Sequence, residues 1–335
     1  MKSLMACALI ALAASTASPP SAANELEERS RALARASDAV VGLRVTAVED
    51  ARSNATLGPR RQGSGVVVGD DGTVLTIGYL ILEADQVELL TDDGRQLPAR
   101  VVAYDVATGF GLVQSLAPLR LAPVPLGQAS ALALEEPLVV ASGGEDGAVS
   151  VAVLVSQRPF SGYWEYHIEN ALFTAPARRD HSGAGLFNGR GELVGIGSLF
   201  VADALGPQAP RVQGNMFVPI DLLKPVLAEL RNRGSSRQSE RAWLGINCIE
   251  ADGILRVLRV NTDSPADVAG LEAGDRIERI DGADVKSLAA LWKTLWAGGP
   301  PEREVSLDIV RGGERQTLKL QSVDRMKTLR RAQGV

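Results

Sequence analysis

Ser182 stands in Asp180-His181-Ser182-Gly183-Ala184-Gly185-Leu186, ahead of the strand-like run Glu192-Leu193-Val194-Gly195-Ile196. A serine hydroxyl attacks a carbonyl only when a positioned base takes its proton and a third group orients that base. The chain has two histidines, His167 and His181. His181 adjoins Ser182, but adjacent side chains in an extended segment point apart. In a tight turn the two could meet, although nothing in the sequence orients the imidazole. His167, in Trp164-Glu165-Tyr166-His167, has no metal-ligand partner at helical spacing and reads as a structural histidine on a strand whose aromatics could face a partner. No Cys/His cluster points to zinc, so neither metal nor cofactor is expected.

The elements that must position Ser182 are short strands. From residue 63 to about 218, brief Val/Leu/Ile runs alternate with turns such as Asp70-Asp71-Gly72, Asp92-Asp93-Gly94 and Asn188-Gly189-Arg190-Gly191. Regular short strands with turn signals predict a barrel or sandwich. Before them, residues 24–39 read as a charged, Ala-rich helix, and 50–62 as a polar loop. After them, 221–233 reads as a helix with Leu222, Leu223, Val226, Leu227 and Leu230 on one face and Asp221 as its cap. Gly234-Ser235-Ser236-Arg237-Gln238-Ser239 reads as a linker and an exposed protease-sensitive boundary. A compact module follows at 241–323, then a basic tail, 324–335, expected to fray.

The 335 residues are 45% hydrophobic, 22% charged and only 4% aromatic. That composition suits a globular protein of about two domains with an aliphatic core. A formal charge of −5 argues against nucleic acid or an anionic membrane as a main partner. Lys2 followed by the apolar run 4–14 and small residues reads as a secretory signal, cleaved after Ala17 or Ala23. The run is too short to span a bilayer. An exported protein, periplasmic or secreted, is expected. Loss of residues 1–23 leaves Cys248 as the one cysteine, which excludes an intrachain disulfide.

Several dispersed motifs occur together in order. They are Gly63-Ser64-Gly65-Val66-Val67-Val68, Asp71-Gly72-Thr73-Val74-Leu75-Thr76, Ala84-Asp85, Asp93-Gly94-Arg95 and Asn215-Met216-Phe217-Val218-Pro219-Ile220. They resemble the protease domain of the HtrA/DegP-type serine proteases. Trp243-Leu244-Gly245-Ile246, Asp263-Ser264-Pro265-Ala266, Ala273-Gly274-Asp275-Arg276-Ile277 and Ile280-Asp281-Gly282 resemble that family's PDZ module. The resemblance implies a mainly β protein, a trypsin-like double barrel followed by a small α+β PDZ domain. The implied layout is a signal at 1–23, an N-terminal helix and loop at 24–62, the protease-like domain at 63–234, a linker at 235–240, the PDZ domain at 241–323 and the tail.

The same resemblance places Tyr79 where the family has its base histidine and Gly109 where it has the orienting aspartate; only the nucleophile, Ser182, is kept. Asp180 replaces a glycine of the oxyanion loop, and a carboxylate there would oppose developing negative charge. Ser182 therefore reads as a fossil hydroxyl making a local turn bond. In the PDZ module the amides of Leu244, Gly245 and Ile246, beside Trp243, are expected to hold a peptide carboxylate. Leu288, Leu291, Trp292 and Leu295, on a helix that continues to Trp296, are expected to divide between core and groove. Cys248 reads as a buried, inert thiol.

The implied function is an exported pseudo-protease, a scaffold, chaperone-like or regulatory protein in quality control. Its partners would be chains with hydrophobic C-termini and, through the family, an active HtrA-type protease. The alternative is a serine endopeptidase with an atypical site. An oligomer is open, although no aromatic residue lies between Met1 and Gly78, where family trimers place theirs. The C-terminal Gly334-Val335 could itself enter a PDZ groove.

Overall fold

The computed structural model describes residues 22–330; the expected signal segment lies almost wholly outside them, as do Gly334 and Val335. Among the described residues no helix is long and apolar enough to cross a membrane.

Helix Ala22–Asp38 leads into six strands: β1 (Val40–Ala47), β2 (Arg60–Val67), β3 (Thr73–Ile77), β4 (Ala84–Leu90), β5 (Gln96–Tyr104) and β6 (Phe110–Ser115). They close a barrel in the order β1-β2-β3-β6-β5-β4. Local chemistry sets the turns. Gly72 takes φ +80°, and the Asp71 carboxylate accepts bonds from the Thr73 amide (3.1 Å) and hydroxyl (2.6 Å). The β-branched and apolar strand that follows, β3, is buried throughout.

This barrel starts at Val40, ahead of the expected boundary at residue 63, because β1 pairs with both β2 and β4. Gly42 interrupts the apolar run of β1 and hides it. A Cβ there would lie 2.6 Å from the Cα of Gly144, so a loop of the second barrel packs directly on the strand's backbone.

The second barrel comprises β7 (Pro137–Ala141), β8 (Val149–Gly162), β9 (Tyr166–Ala175), β10 (Gly185–Phe187), β11 (Leu193–Val201) and β12 (Gly214–Pro219). Its order is β10-β11-β12-β9-β8-β7. Leu138, Val140, Leu154, Leu172, Leu186, Val194 and Phe217 fill its interior. A larger cluster fills the first barrel and the seam between the two.

The expected helix over 221–233 is broken. A 3-10 turn covers Ile220–Leu222 and the α-helix runs only over Leu227–Arg233. Pro225 between them has no N–H to give the helix ladder. Asp221 caps nothing on this helix; its carboxylate receives the amides of Ala129 (3.0 Å) and Ser130 (2.8 Å).

Nor is the linker loose. Asp105, wholly buried, accepts the Ser236 amide (3.0 Å) and the Ser239 hydroxyl (2.6 Å), and both serines are buried. Burial pushes the Asp105 carboxyl up, yet the bonds from Ser236, Ser239 and Thr108 outweigh it and hold the group below the ordinary carboxylate value.

The PDZ module contains β13 (Ala242–Trp243), β14 (Ile246–Ala251), β15 (Ile254–Val260), β16 (Arg276–Ile280), β17 (Ala283–Asp284), β18 (Glu304–Arg311), β19 (Glu314–Gln321) and β20 (Val323–Asp324). Its main sheet runs β14-β15-β16-β18-β19 around its own core. Ser287 caps helix Leu288–Ala297 by accepting the Ala290 amide at 3.1 Å. The described part of the tail is tied down: β20 pairs with β13, and Arg330 donates its amide to Glu83 (3.0 Å) and pairs with Asp50.

Candidate functional site

Ser182 lies in the loop between β9 and β10, at the seam of the barrels. Tyr79 comes from the short helix Gly78–Ile81 that follows β3. The Tyr79 phenol oxygen is 2.7 Å from both Ser182 Oγ and the Ser198 carbonyl oxygen. A carbonyl only accepts, so the phenol's single proton goes to Ser198 and the Ser182 hydroxyl donates to the phenol oxygen. Burial pushes the Tyr79 phenol up to about 12, despite the bond with Ser182, so it is neutral near pH 7. A neutral phenol oxygen carries a hydrogen bond but does not take up a proton at that pH.

Neither histidine substitutes for it. His181 Nδ1 lies 3.0 Å from the Arg178 carbonyl, which makes it the protonated nitrogen, and burial followed by weaker opposing bonds lowers the ring's pKa. His167 Nδ1 meets the Ser161 hydroxyl at 2.8 Å, away on the β8–β9 hairpin. Among the described residues, Ser182 Oγ bonds Tyr79 alone.

Gly109 takes φ +82°, a conformation that L side chains rarely adopt. A Cβ there would lie 2.8 Å from the Tyr166 hydroxyl, which is buried and donates to the Thr108 carbonyl at 2.7 Å. Tyr166 thus fills the space beside Gly109. Asp180 faces elsewhere than expected. Arg178 binds it through Nε (3.0 Å) and a second guanidinium nitrogen, and the Ser142 hydroxyl adds a third bond. Its charge is compensated, so the expected repulsion of a developing oxyanion is weaker than the bare sequence implies. Gly183, at φ +74°, is required as glycine, since a Cβ would sit 1.9 Å from the Ser64 carbonyl oxygen.

A trypsin-like peptidase domain matches residues 63–196 and a PDZ domain matches 242–321. In fold and domain order the chain is HtrA/DegP-like. It is 27% identical over 272 residues to the periplasmic serine endoprotease DegP of Salmonella typhimurium, covering 77% of this chain and 56% of the relative. The chain thus spans about half the length of that relative. Among solved structures, the HtrA-type protease AlgW with decapeptide gives a TM-score of 0.54 at 20% identity, over 90% of this chain and 98% of that one. The serine endoprotease from Yersinia pestis gives 0.52 at 22% identity, over 92% and 99%.

The second part of the candidate site lies in the PDZ domain. The amides of Leu244, Gly245 and Ile246 converge, as the motif implies. Gly245 takes φ +83°, and a Cβ there would lie 2.2 Å from Ser264 Cβ, so the close approach depends on glycine. What they hold is Glu165, from the tip of the β8–β9 hairpin. Its Oε1 accepts Gly245 (2.7 Å), Ile246 (3.1 Å) and Leu244 (3.2 Å), and its Oε2 accepts Leu244 at 3.1 Å. Burial raises the Glu165 carboxyl to about 7, against the pull of the three amides.

The hairpin continues along the groove: Trp164 bridges Asn247 in antiparallel sense, and the Cys248 amide donates to the Tyr163 carbonyl at 2.7 Å. Trp292 reaches it as well, its indole N–H donating to the Gly162 carbonyl at 3.1 Å. Leu291 and Leu295 are fully buried in the PDZ core and Leu288 nearly so; Trp243 lies against the Arg325 guanidinium, 4.8 Å from the ring centre. Cys248 is a free, buried thiol whose pKa is pushed up by burial and then by the Glu165 charge. The sequence alone points to the amides and Trp292 and matches Asp105 to the family pattern, but it does not show what Glu165, Tyr166 and Asp105 bind. The one available signal was an acidic residue inside the aromatic run Trp164-Glu165-Tyr166.

Proposed function

We propose that this chain is an exported, HtrA-like pseudo-protease that acts by binding peptides or proteins, through its PDZ groove, rather than by cleaving them. The observation that carries the reading is the bond between Ser182 and the half-buried, neutral Tyr79 phenol in the place where the resemblance puts an imidazole. With no group to accept its proton, the hydroxyl is a poor nucleophile at neutral pH. Gly109, with Tyr166 against it, offers no carboxylate to orient a base. The three converging amides at Gly245 are a receptor for a carboxylate, and the AlgW structures are described with a decapeptide or a tripeptide. The periplasmic DegP relatives support export to the periplasm. Hydrophobic C-termini, an active HtrA-type protease among them, are the partners this reading favours.

A serine endopeptidase with an atypical site is the second reading, favoured by the retained Ser182 and the likeness to DegP. A fluorophosphonate probe separates them. The pseudo-protease reading expects no labelling of Ser182 and no casein turnover above background. Labelling that disappears in Ser182→Ala would overturn it.

A further inference from the structure

The carboxylate receptor of the PDZ groove is already occupied by the chain itself. Each feature expected of a bound C-terminal peptide is supplied by the β8–β9 hairpin. A carboxylate sits on the amides of Leu244, Gly245 and Ile246; an antiparallel backbone step pairs Trp164 with Asn247; a main-chain carbonyl, that of Tyr163, accepts from Cys248. This is strand addition to β14, made in cis. The contact is anchored on both sides. Trp292 clamps Gly162, Lys293 pairs with Glu169 at 2.5 Å, and Trp164 stacks on Tyr166 with ring centres 5.9 Å apart.

We propose that residues 162–165 are a resident pseudo-ligand of the PDZ groove, which a chain bearing a free C-terminal carboxylate must displace in order to bind. The inference rests on the reading of that groove as a peptide-terminus site. Two opposing effects act on the plug: desolvation of the half-buried Glu165 carboxylate weakens the anchorage, and the charge of Arg325 partly offsets this. A peptide's α-carboxylate has an ordinary pKa of about 3.3–3.7, so it reaches the same amides fully ionised near neutral pH. The groove is then competent only in the fraction of molecules whose hairpin has left, and the apparent affinity falls by that fraction. Gly334-Val335, expected from the sequence as a candidate occupant of a groove, would meet the same competition.

The test uses the full chain and a fluorescein-labelled decapeptide ending in a free valine, with its C-terminal amide as control. Glu165→Ala should bind the free-acid peptide at least about tenfold more tightly than the wild type, which corresponds to a plug closed in about nine molecules in ten or more. Glu165→Leu, which keeps the approximate size but offers the amides no acceptor, should also bind more tightly. Hydrogen exchange of the Gly245 and Ile246 amides checks that both variants are folded. It should be slow in the wild type and faster in both variants, with protection in β10 to β12 unchanged. Equal peptide affinity in wild type and both variants would overturn the pseudo-ligand while leaving the groove reading intact. If no variant binds the peptide although exchange at Gly245 accelerates in Glu165→Ala, the groove reading fails, and the competition falls with it. Fast exchange at Gly245 in the wild type would refute the docked hairpin directly.

Discussion

Replacing Gly109 by alanine asks how firmly Tyr166 holds the space beside it. Two costs follow from the geometry. At φ +82° an L side chain sits in the left-handed region, which costs roughly 1–2 kcal/mol. The new Cβ would also lie 2.8 Å from the Tyr166 hydroxyl, with ring carbons of that buried side chain next at 3.3 and 3.4 Å, so no flexible end can swing away. The ring must move, and the Thr108 carbonyl loses its donor in a buried setting, worth about 1–3 kcal/mol. The sum is about 2–5 kcal/mol, a large part of a domain's net stability. Urea unfolding followed by circular dichroism measures it.

Tyr166→Phe supplies the second arm. It removes the clashing oxygen, so adding Gly109→Ala to that background should cost only the conformational part, about 1–2 kcal/mol, with a coupling of roughly 1 kcal/mol or more in the double-mutant cycle. A loss below about 0.5 kcal/mol for Gly109→Ala, or strict additivity with Tyr166→Phe, would refute the steric account. The same geometry bears on restoration. Tyr79→His with Gly109→Asp should remain nearly inactive on casein, because the aspartate's own Cβ meets Tyr166; strong turnover in that double variant would show that the ring yields easily.

Peptide binding should strengthen as pH rises from 5 to 8. The docked Glu165 holds its proton up to about 7 against a reference of 4.5, so the extra stability of docking is fully present below 4.5 and lost as pH rises through 7; fluorescence anisotropy should register a gain of roughly tenfold or more, and a flat profile would contradict it. Asp105→Ala should make trypsin cut after Arg233 or Arg237 much faster than in the wild type, because Ser236 and Ser239 lose their shared anchor; equal rates would show that the linker is held otherwise. Tyr79→Phe should cost about 1–3 kcal/mol, since the buried Ser198 carbonyl loses its donor, without making Ser182 reactive to a fluorophosphonate; chemical denaturation and labelling check the two parts.

The β texture, the Asp-Gly turns and the PDZ motifs carried most of the fold in plain text, because turn chemistry and strand alternation are local. Tyr79, Gly109 and Gly245 were also legible, since each replaces or repeats a residue at a fixed place in a motif. What was not legible depends on pairs distant in the chain. Glu165 and Gly245 are 80 positions apart and Asp105 and Ser239 are 134 apart, and no periodicity announces either bond. Asp180 misled for a related reason: the sequence gives its charge but not the Arg178 fork and Ser142 hydroxyl that absorb it. The boundary at residue 63 erred because β1 is completed by partners on β2 and β4 rather than by its own pattern.

Glu165 ends the hairpin turn and Tyr166 opens β9, and their side chains leave toward different domains. One carboxylate lies in the PDZ receptor, and the next phenol lies under Thr108, beside Gly109. A single peptide bond therefore joins the two recessed sites of the molecule, like the pivot of a seesaw whose arms rest in different domains. Displacing Glu165 from the groove by the width of a strand, about 4.8 Å, is therefore expected to load the Tyr166–Thr108 bond at the end of the other arm.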